Sequence, residues 1–489
     1  MNLRVILHLT SFVLGVVATG MVLCLLVSLG MGDSAHVQRA FGISAGATFL
    51  FAIILFLLTR GEVTLKRKES YAVVTFAWLL AALFGALPYM LSGVIPDVPG
   101  ALFESMSGLT TTGASVLSNL DTQPKGILFW RSVTQWLGGM GVLVLVIAIV
   151  PFLGYGAMGL YQAEIPGVAA ERLVPKIAQT ARILWFVYVV LTVACLVALK
   201  LCGMSWFDSV NHAFCTVSTG GFSTHPESIE GYGSLSVEMI IMFFMLLGGI
   251  NFALHFRALK HGPRAYILDT EVRFMAAILL VVTSIMAISL WQQDNSPVSS
   301  LPNAIRAASF ECVSILTTTG FGGHATQAFQ SWSVVALTLV GIISFFGACS
   351  GSTSGGMKLI RLLLAFKVAY RELKLMVIPR AVYCIRMDGE VVKDRMVART
   401  VAFLLLFVVI AAVSAEVMTF FAPDEITAVS SVYACMTNVG PGVGKHIGPD
   451  GNFAVIDAAG KIYLSLLMLI GRLEIFTFLV IFTPVFWRR

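Results

Sequence analysis

Leu109-Thr-Thr-Thr-Gly113 has three echoes further along the chain: Val217-Ser-Thr-Gly-Gly221-Phe222, Leu316-Thr-Thr-Thr-Gly320-Phe321 and Met436-Thr-Asn-Val-Gly440. Each lies between two long apolar runs and comes after a stretch too short to cross a bilayer: Pro99–Leu109, Phe207–Val217, Pro302–Leu316 and Ala422–Met436. A spanning helix needs about 20 residues, so these stretches read as half-helices entering the membrane from outside. A second marker stands in the next apolar run: Leu137-Gly-Gly-Met-Gly141, Leu247-Gly-Gly-Ile-Asn251, Phe346-Gly-Ala-Cys-Ser350 and Ile470-Gly-Arg-Leu-Glu474. From loop glycine to first marker glycine is 25, 27, 27 and 31 residues. Order kept four times marks an internal repeat. The chain therefore divides into an N-terminal two-helix segment, 1–68, and four units of span, half-helix, loop and span at 69–160, 181–262, 270–366 and 395–489.

Composition places these units in lipid. The 489 residues are 57% hydrophobic and only 12% charged, with a mean hydropathy of +0.88, far from the roughly half-apolar, quarter-charged balance of soluble domains. Ten runs are long and apolar enough to span, near 5–30, 39–59, 71–93, 130–152, 183–203, 238–257, 274–291, 332–357, 399–421 and 462–486. An even number puts both termini on one side. Short basic loops are retained in the cytoplasm. With a cytoplasmic N-terminus, only Arg39, Lys125, Arg131, Lys200, Arg306, Lys445 and Lys461 fall outside and Arg472 falls within a span, leaving 24 of 32 basic residues inside. The first run exceeds the 7–15 residues or so of a signal-peptide core and has no clear cleavage site after it, so it is expected to stay as a helix. The eight cysteines are scattered without a CxxC pair, against both a disulfide framework and a zinc site. The net charge of +6 fits cytoplasmic flanks, and no basic patch interleaved with aromatics suggests a nucleic-acid partner.

Non-helical backbone at membrane depth survives only where protein or water satisfies its polar groups. Four Thr/Ser/Gly loops there are expected to converge on a wet axis. Glycine reaches backbone angles closed to other residues, which lets carbonyls replace the hydration shell of a cation, while the hydroxyls add ligands or brace the turn. The half-helix C-termini contribute partial negative charge. The candidate cation ligands are thus Thr110, Thr111, Thr112 and Gly113; Ser218, Thr219, Gly220 and Gly221; Thr317, Thr318, Thr319 and Gly320; and Thr437, Asn438, Val439 and Gly440. The alternative is that such loops are packing points between helices. Glu104, Asp208, Glu311 and Glu425 in the entering segments either draw cations to the outer mouth or cap the half-helices.

Two features interrupt the four-fold similarity. Unit three carries Gly347-Ala-Cys-Ser-Gly351-Ser-Thr-Ser-Gly-Gly356, where repeated glycine and serine weaken a helix. Gly347, Gly351, Ser352, Thr353, Gly355 and Gly356 are read as a loop below the filter, either a movable gate or a packing kink. A phosphate-loop reading fails, because the motif needs Gly-Lys-Ser/Thr after its gap and a preceding strand. Arg472 stands in an apolar span at the marker of unit four. A guanidinium there costs at least about 2.5 kcal/mol unless it faces a cavity or partner, so it is read as a barrier at the pore, with an ion pair to Glu474 as the alternative.

Taken together, these motifs resemble the membrane subunit of the Trk potassium-uptake system, in the Trk/Ktr/HKT superfamily of cation transporters. The likeness covers essentially the whole chain and rests on Ser107-Gly-Leu-Thr-Thr-Thr-Gly-Ala114, Trp136-Leu-Gly-Gly-Met-Gly141, Gly221-Phe-Ser-Thr-His225, the Gly347–Gly356 loop, Gly471-Arg-Leu-Glu474 and Phe482-Thr-Pro-Val-Phe-Trp487. The resemblance implies an all-α polytopic membrane protein, a potassium-channel-like pseudo-tetramer in one chain, with two extra N-terminal helices. It implies potassium uptake across the bacterial inner membrane, with both termini cytoplasmic and a potassium ion held in the filter. By position, the family's filter glycines fall on Gly113, Gly221, Gly320 and Gly440, its gate on Gly347–Gly356 and its pore arginine on Arg472. Serine in place of the first glycine accompanies sodium preference in the superfamily, so Gly113 implies potassium. The doublet Gly220-Gly221 leaves loop two ambiguous by one; matching Gly-Phe to Gly320-Phe321 selects Gly221. The family usually forms a homodimer and works with a cytoplasmic ring of nucleotide-binding, Rossmann-type regulatory domains. No organic cofactor is expected in this chain, and the implied docking face is Lys358–Lys393 with the loops near Arg172–Lys176 and Arg257–Arg273.

Two alternatives within transport are the ion-binding subunit of a potassium-pumping ATPase and a less selective sodium/potassium pathway of the same superfamily. An intramembrane enzyme would need a dyad or metal cluster, and the sequence has no HExxH, GxSxG or paired aspartates. No catalytic role is expected.

Overall fold

The computed structural model describes residues 2–61, 67–141, 177–293, 298, 300–449 and 451–487. Among them, six helices are long and apolar enough to cross a bilayer: Leu3–Gly30, Ala35–Leu58, Lys68–Leu91, Gln179–Leu201, Thr270–Trp291 and Asp394–Met418. Two bent pairs, Leu235–Gly249 with Phe252–His261 and Ala458–Arg472 with Phe476–Phe482, add broken spans. The other two expected spans differ. Val334–Ile343 runs for only 10 residues before the chain leaves the helix, and the run near 130–152 is helical as Lys125–Gly139, beyond which it soon passes outside the described residues. The protein is an all-α membrane protein; the described strands form one two-residue hairpin, Arg386–Met387 with Glu390–Val391.

All four half-helices are present, as Val98–Leu109, Trp206–Val217, Leu301–Leu316 and Glu425–Met436. Three of their starts carry a side-chain cap, because the first amides of a helix have no intrahelical partner; Leu301–Leu316 has none and carries Pro302 in its first turn instead. Asp97 accepts from the Gly100 N–H at 2.7 Å, Ser205 Oγ from Asp208 at 3.0 Å and Asp424 from Thr427 at 2.8 Å. Glu425 stays exposed in the first turn of its half-helix.

The markers of units one, two and four are the floor on which their half-helices rest, whereas Gly347 of unit three meets the Gly355 carbonyl. A side chain at Gly138 would collide with the Leu109 carbonyl, one at Gly471 with that of Met436, and one at Gly248 would lie 3.0 Å from that of Val217. Each carbonyl ends the half-helix of the same unit. Helix breakage at this level is not peculiar to unit three, as the sequence suggested. The second spans of units two and four bend by 97° and 107° just after their markers. Unit three differs in having a loop inserted between the break and the helix Leu359–Val377.

The N-terminal pair is built into this core. Leu3–Gly30 buries Val5, Leu9, Val13, Val17 and Met21 and, on other sides, His8, Ser11 and Leu14, so it packs on more than one face, and Gly20 sits where a Cβ would be 3.2 Å from Trp130 and 3.3 Å from Val133. Asp33, in the turn after this helix, accepts from the backbone N–H groups of Lys125 (2.9 Å) and Gly126 (2.8 Å) at the start of unit one's second helix. Asp33→Ala removes both caps. It is expected to cost about 1–2 kcal/mol, read as a lower thermal-unfolding midpoint in detergent with ion selectivity unchanged.

Candidate functional site

The four loops share one backbone conformation. Thr111, Thr219, Thr318 and Asn438 all adopt left-handed φ, at 54°, 52°, 57° and 56°, and two residues on Gly113, Gly221, Gly320 and Gly440 have φ of 82°, 80°, 78° and 98°. Left-handed backbone is unfavourable for a residue with a Cβ, so it is held by closure of the helix end. The N–H groups of Thr112, Gly220, Thr319 and Val439 donate to Ser107, Cys215, Ser314 and Ala434 carbonyls at 2.9, 2.8, 2.8 and 3.0 Å. This is the six-to-one bond that ends a helix in a left-handed residue.

The loops also meet in a cycle. A side chain at Gly113 would collide with the Gly220 carbonyl, one at Gly221 with that of Thr319, one at Gly320 with that of Val439, and one at Gly440 would lie 2.5 Å from that of Thr112. Each loop glycine thus abuts the carbonyl just before the next loop's glycine, and the fourth returns to the first. The geometry agrees with the register that pairs Gly221, not Gly220, with the other three. Outside the ring a cavity of ≈ 220 Å³ is bordered by all four glycines together with Ser115, Arg131, Ser223 and His225. Below the ring one of ≈ 90 Å³ is lined by Gly139, Gly351, Ser352, Gly355, Gly356 and Arg472.

The hydroxyls at the first loop position brace the turn. Thr110, Thr317 and Thr437 donate to the carbonyls of Met106, Val313 and Tyr433 in their own half-helices, each at 2.7 Å. Ser218 Oγ likewise turns back to Cys215 at 3.2 Å. Asn438 Nδ2 reaches across to Thr112 Oγ1 at 2.9 Å and to the Met468 carbonyl at 3.0 Å.

The loop Gly347–Gly356 lies on the side of the ring that holds the smaller cavity. Broken helices leave carbonyls without partners, and the loop supplies them: Cys349 N–H donates to Gly249 O at 3.0 Å, Thr353 N–H to Gly248 O at 3.2 Å and Thr353 Oγ1 to Val217 O at 3.1 Å. Gly355 N–H donates to Thr318 Oγ1 at 2.7 Å. Arg472 spans the opening from the opposite side. Its Nη1 donates to Thr353 O at 2.7 Å, and its Nη2 donates to Gly138 O (2.7 Å) and Gly139 O (2.8 Å) of unit one. Glu474 takes Arg361 as its ion-pair partner.

Several residues that govern this arrangement carry no clear signal in the sequence. Glu104 is neither at the mouth nor at a cap. It is fully buried and pairs with Arg131 at 2.8 Å while accepting from Ser115 Oγ (2.9 Å) and Val116 N–H (2.9 Å) just after loop one. Arg131 is therefore an internal clamp, although its place in the sequence suggests only a topology charge. In unit two the matching position is His212, whose Nε2 lies 3.2 Å from Ser223 Oγ. Glu271 Oε1 accepts from the N–H groups of Ser350 (2.7 Å) and Ile360 (3.1 Å), tying together both ends of the inner loop. The available signal was a polar residue in an apolar run; nothing in the spacing names its partner.

The TrkH cation transport protein family matches residues 38–488. The Trk system potassium uptake protein TrkH of Halomonas elongata is 38% identical over 499 residues, covering 100% of both chains. That of Escherichia coli strain K12 is 41% identical over 434 residues, 88% of each chain, and the Trk system potassium uptake protein TrkG of the same strain is 31% identical over 498 residues, 100% of this chain and 99% of that one. The crystal structure of the potassium transporter TrkH from Vibrio parahaemolyticus superimposes with a TM-score of 0.88 over 100% of both chains, at 35% identity.

Glu271→Gln weakens two charge-assisted anchors, each worth about 1.5–3 kcal/mol. Amide hydrogen exchange across 347–360 is expected to quicken at least roughly tenfold relative to the wild-type chain, while exchange in the half-helices stays as it was.

Proposed function

The chain belongs to the TrkH family of cation transport proteins, and we propose that it takes up potassium across the bacterial inner membrane through the four-loop ring. The observation that carries this reading is the cyclic closure of glycine on carbonyl, 113 on 220, 221 on 319, 320 on 439 and 440 on 112. A ring of backbone oxygens at the tips of four half-helices suits a cation shed of its water, and the helix C-termini add negative potential. Thr111 Oγ1 is buried without a hydrogen-bond partner among the described residues and offers a further oxygen. A side chain at Gly113 must push the Gly220 carbonyl aside, which supports the preference for potassium expected of glycine there.

In this reading Gly347–Gly356 is the gate and Arg472 its latch. The guanidinium joins the loop's Thr353 carbonyl to unit one's Gly138 and Gly139, and its charge sits beneath the ring as a barrier to a departing cation. The division into four pore units at 69–160, 181–262, 270–366 and 395–489 after a segment 1–68 belongs to the same proposal, as do cytoplasmic termini. The regulatory partner is a cytoplasmic nucleotide-binding, Rossmann-type subunit, and the transporter works as a homodimer. Support for the docking face is the helix Leu359–Val377, which exposes Tyr370, Leu373 and Met376 beside Lys367 and Lys374. The expected loop Arg172–Lys176 lies outside the described residues.

Uptake into proteoliposomes holding the purified protein, comparing potassium or rubidium with sodium, tests the reading. Selective potassium flux is expected, with Gly113→Ser narrowing the preference. Arg472→Ala, which removes hydrogen bonds from a charged donor worth about 1.5–3 kcal/mol each, and deletion within Gly347–Gly356 are each expected to raise basal flux at least roughly tenfold. Absence of flux under any gradient, with or without the regulatory subunit, would sink the proposal.

A further inference from the structure

One ring carbonyl is treated differently from the other three. Gln135 lies in unit one's second helix, three residues before the marker glycine, where units two, three and four carry Met245, Ser344 and Met468. Its buried amide reaches into loop two. Nε2 donates to Gly220 O at 2.5 Å and Oε1 accepts from Phe222 N–H at 3.1 Å. The two partners, an acceptor and a donor, set which end of the amide faces which. The carbonyls of Thr112, Thr319 and Val439 accept no such bond among the described residues. Gly220 also stands where the other loops have a side chain, and a Cβ there would fall on the Gln135 amide. The glutamine fills the space that loop two leaves empty.

One turn earlier, Arg131 holds the outer half of the same loop. Its Nη1 donates to Ser223 O at 2.9 Å and its guanidinium lies 4.0 Å over the Phe222 ring, while Glu104 anchors it from behind at 2.8 Å. Residues four apart on a helix share a face, so Arg131 and Gln135 form one clamp from unit one onto residues 220–223 of unit two.

We infer that Gln135 is a specificity-determining positioning residue, which sets the orientation and field strength of the Gly220 carbonyl and so biases the ring toward a large, weakly hydrated monovalent cation over sodium. The inference rests on the filter proposed above. A donated N–H places partial positive charge against the oxygen and draws on its capacity to bind a cation. A weaker, held carbonyl gains least from the small, strongly hydrated ion; a freed one turns inward and rewards it.

The test is competitive potassium and sodium uptake in proteoliposomes by Gln135→Met, which installs the residue of units two and four, beside Gly113→Ser. The potassium-to-sodium flux ratio is expected to fall roughly threefold to tenfold in Gln135→Met, the scale of one buried hydrogen bond. A second pair guards against a simple folding defect. Gly220→Ala alone is expected to lose flux through collision with the glutamine, and Gly220→Ala with Gln135→Ala to regain it with altered selectivity. A ratio unchanged in Gln135→Met while Gly113→Ser shifts it overturns the inference and leaves the filter standing, as does failure of the double variant to recover flux. A ratio unchanged in both Gln135→Met and Gly113→Ser overturns the filter reading as well.

Discussion

Gly440 abuts the carbonyl of Thr112, and on that contact the remaining architecture depends. Four segments of irregular backbone cannot sit at membrane depth unless their polar groups are satisfied by protein or enclosed water. Three contacts in a row would leave an open edge facing lipid. The fourth, reinforced by the Asn438–Thr112 hydrogen bond at 2.9 Å between residues 326 apart in sequence, turns a row into a ring. The half-helices, their left-handed ends and the glycine floor beneath them are the means by which each loop is presented at the same height.

Much of this was legible in the sequence because it repeats. The Thr-Thr-Thr-Gly segments, the short runs before them and the marker glycines after them recur in order, and Phe222 alongside Phe321 was enough to choose Gly221 over Gly220. The hidden part is whatever occurs once. Glu104 with Arg131, Gln135 with Gly220 and Glu271 with Ser350 join different elements at distances set by folding, and no periodicity announces them. The bends after Gly249 and Arg472 escaped for a different reason. Polar residues are few on either side of each break within the runs 238–257 and 462–486, so composition reads each as one continuous span.

Below the ring the chemistry changes from neutral to charged. Arg472 is held by three carbonyls, Lys358 donates to Ser354 O and, at 3.1 Å, to Ser354 Oγ, and Arg361 pairs with Glu474 while lying 4.0 Å over Phe403. Charges removed from water are costly unless paired and hydrogen-bonded. Here backbone carbonyls released by helix breaks serve as many of the partners. The breaks and the charges are therefore one solution: an unbroken helix would offer Arg472 no free oxygen, and without Arg472 the freed carbonyls would face an empty cavity.

Ring closure between the first unit and the last also bears on how the chain is made. Loop one emerges from the ribosome long before Gly440 exists, and contacts so distant in sequence form late because loop-closure entropy must be met first. Until then Gly113 and Thr112 have a neighbour on one side only, and the nascent bundle carries a cleft on its first unit. Order of synthesis thus separates two events, membrane insertion of each helix pair and closure of the ring, and leaves the second until the segment that carries Gly440 has been made.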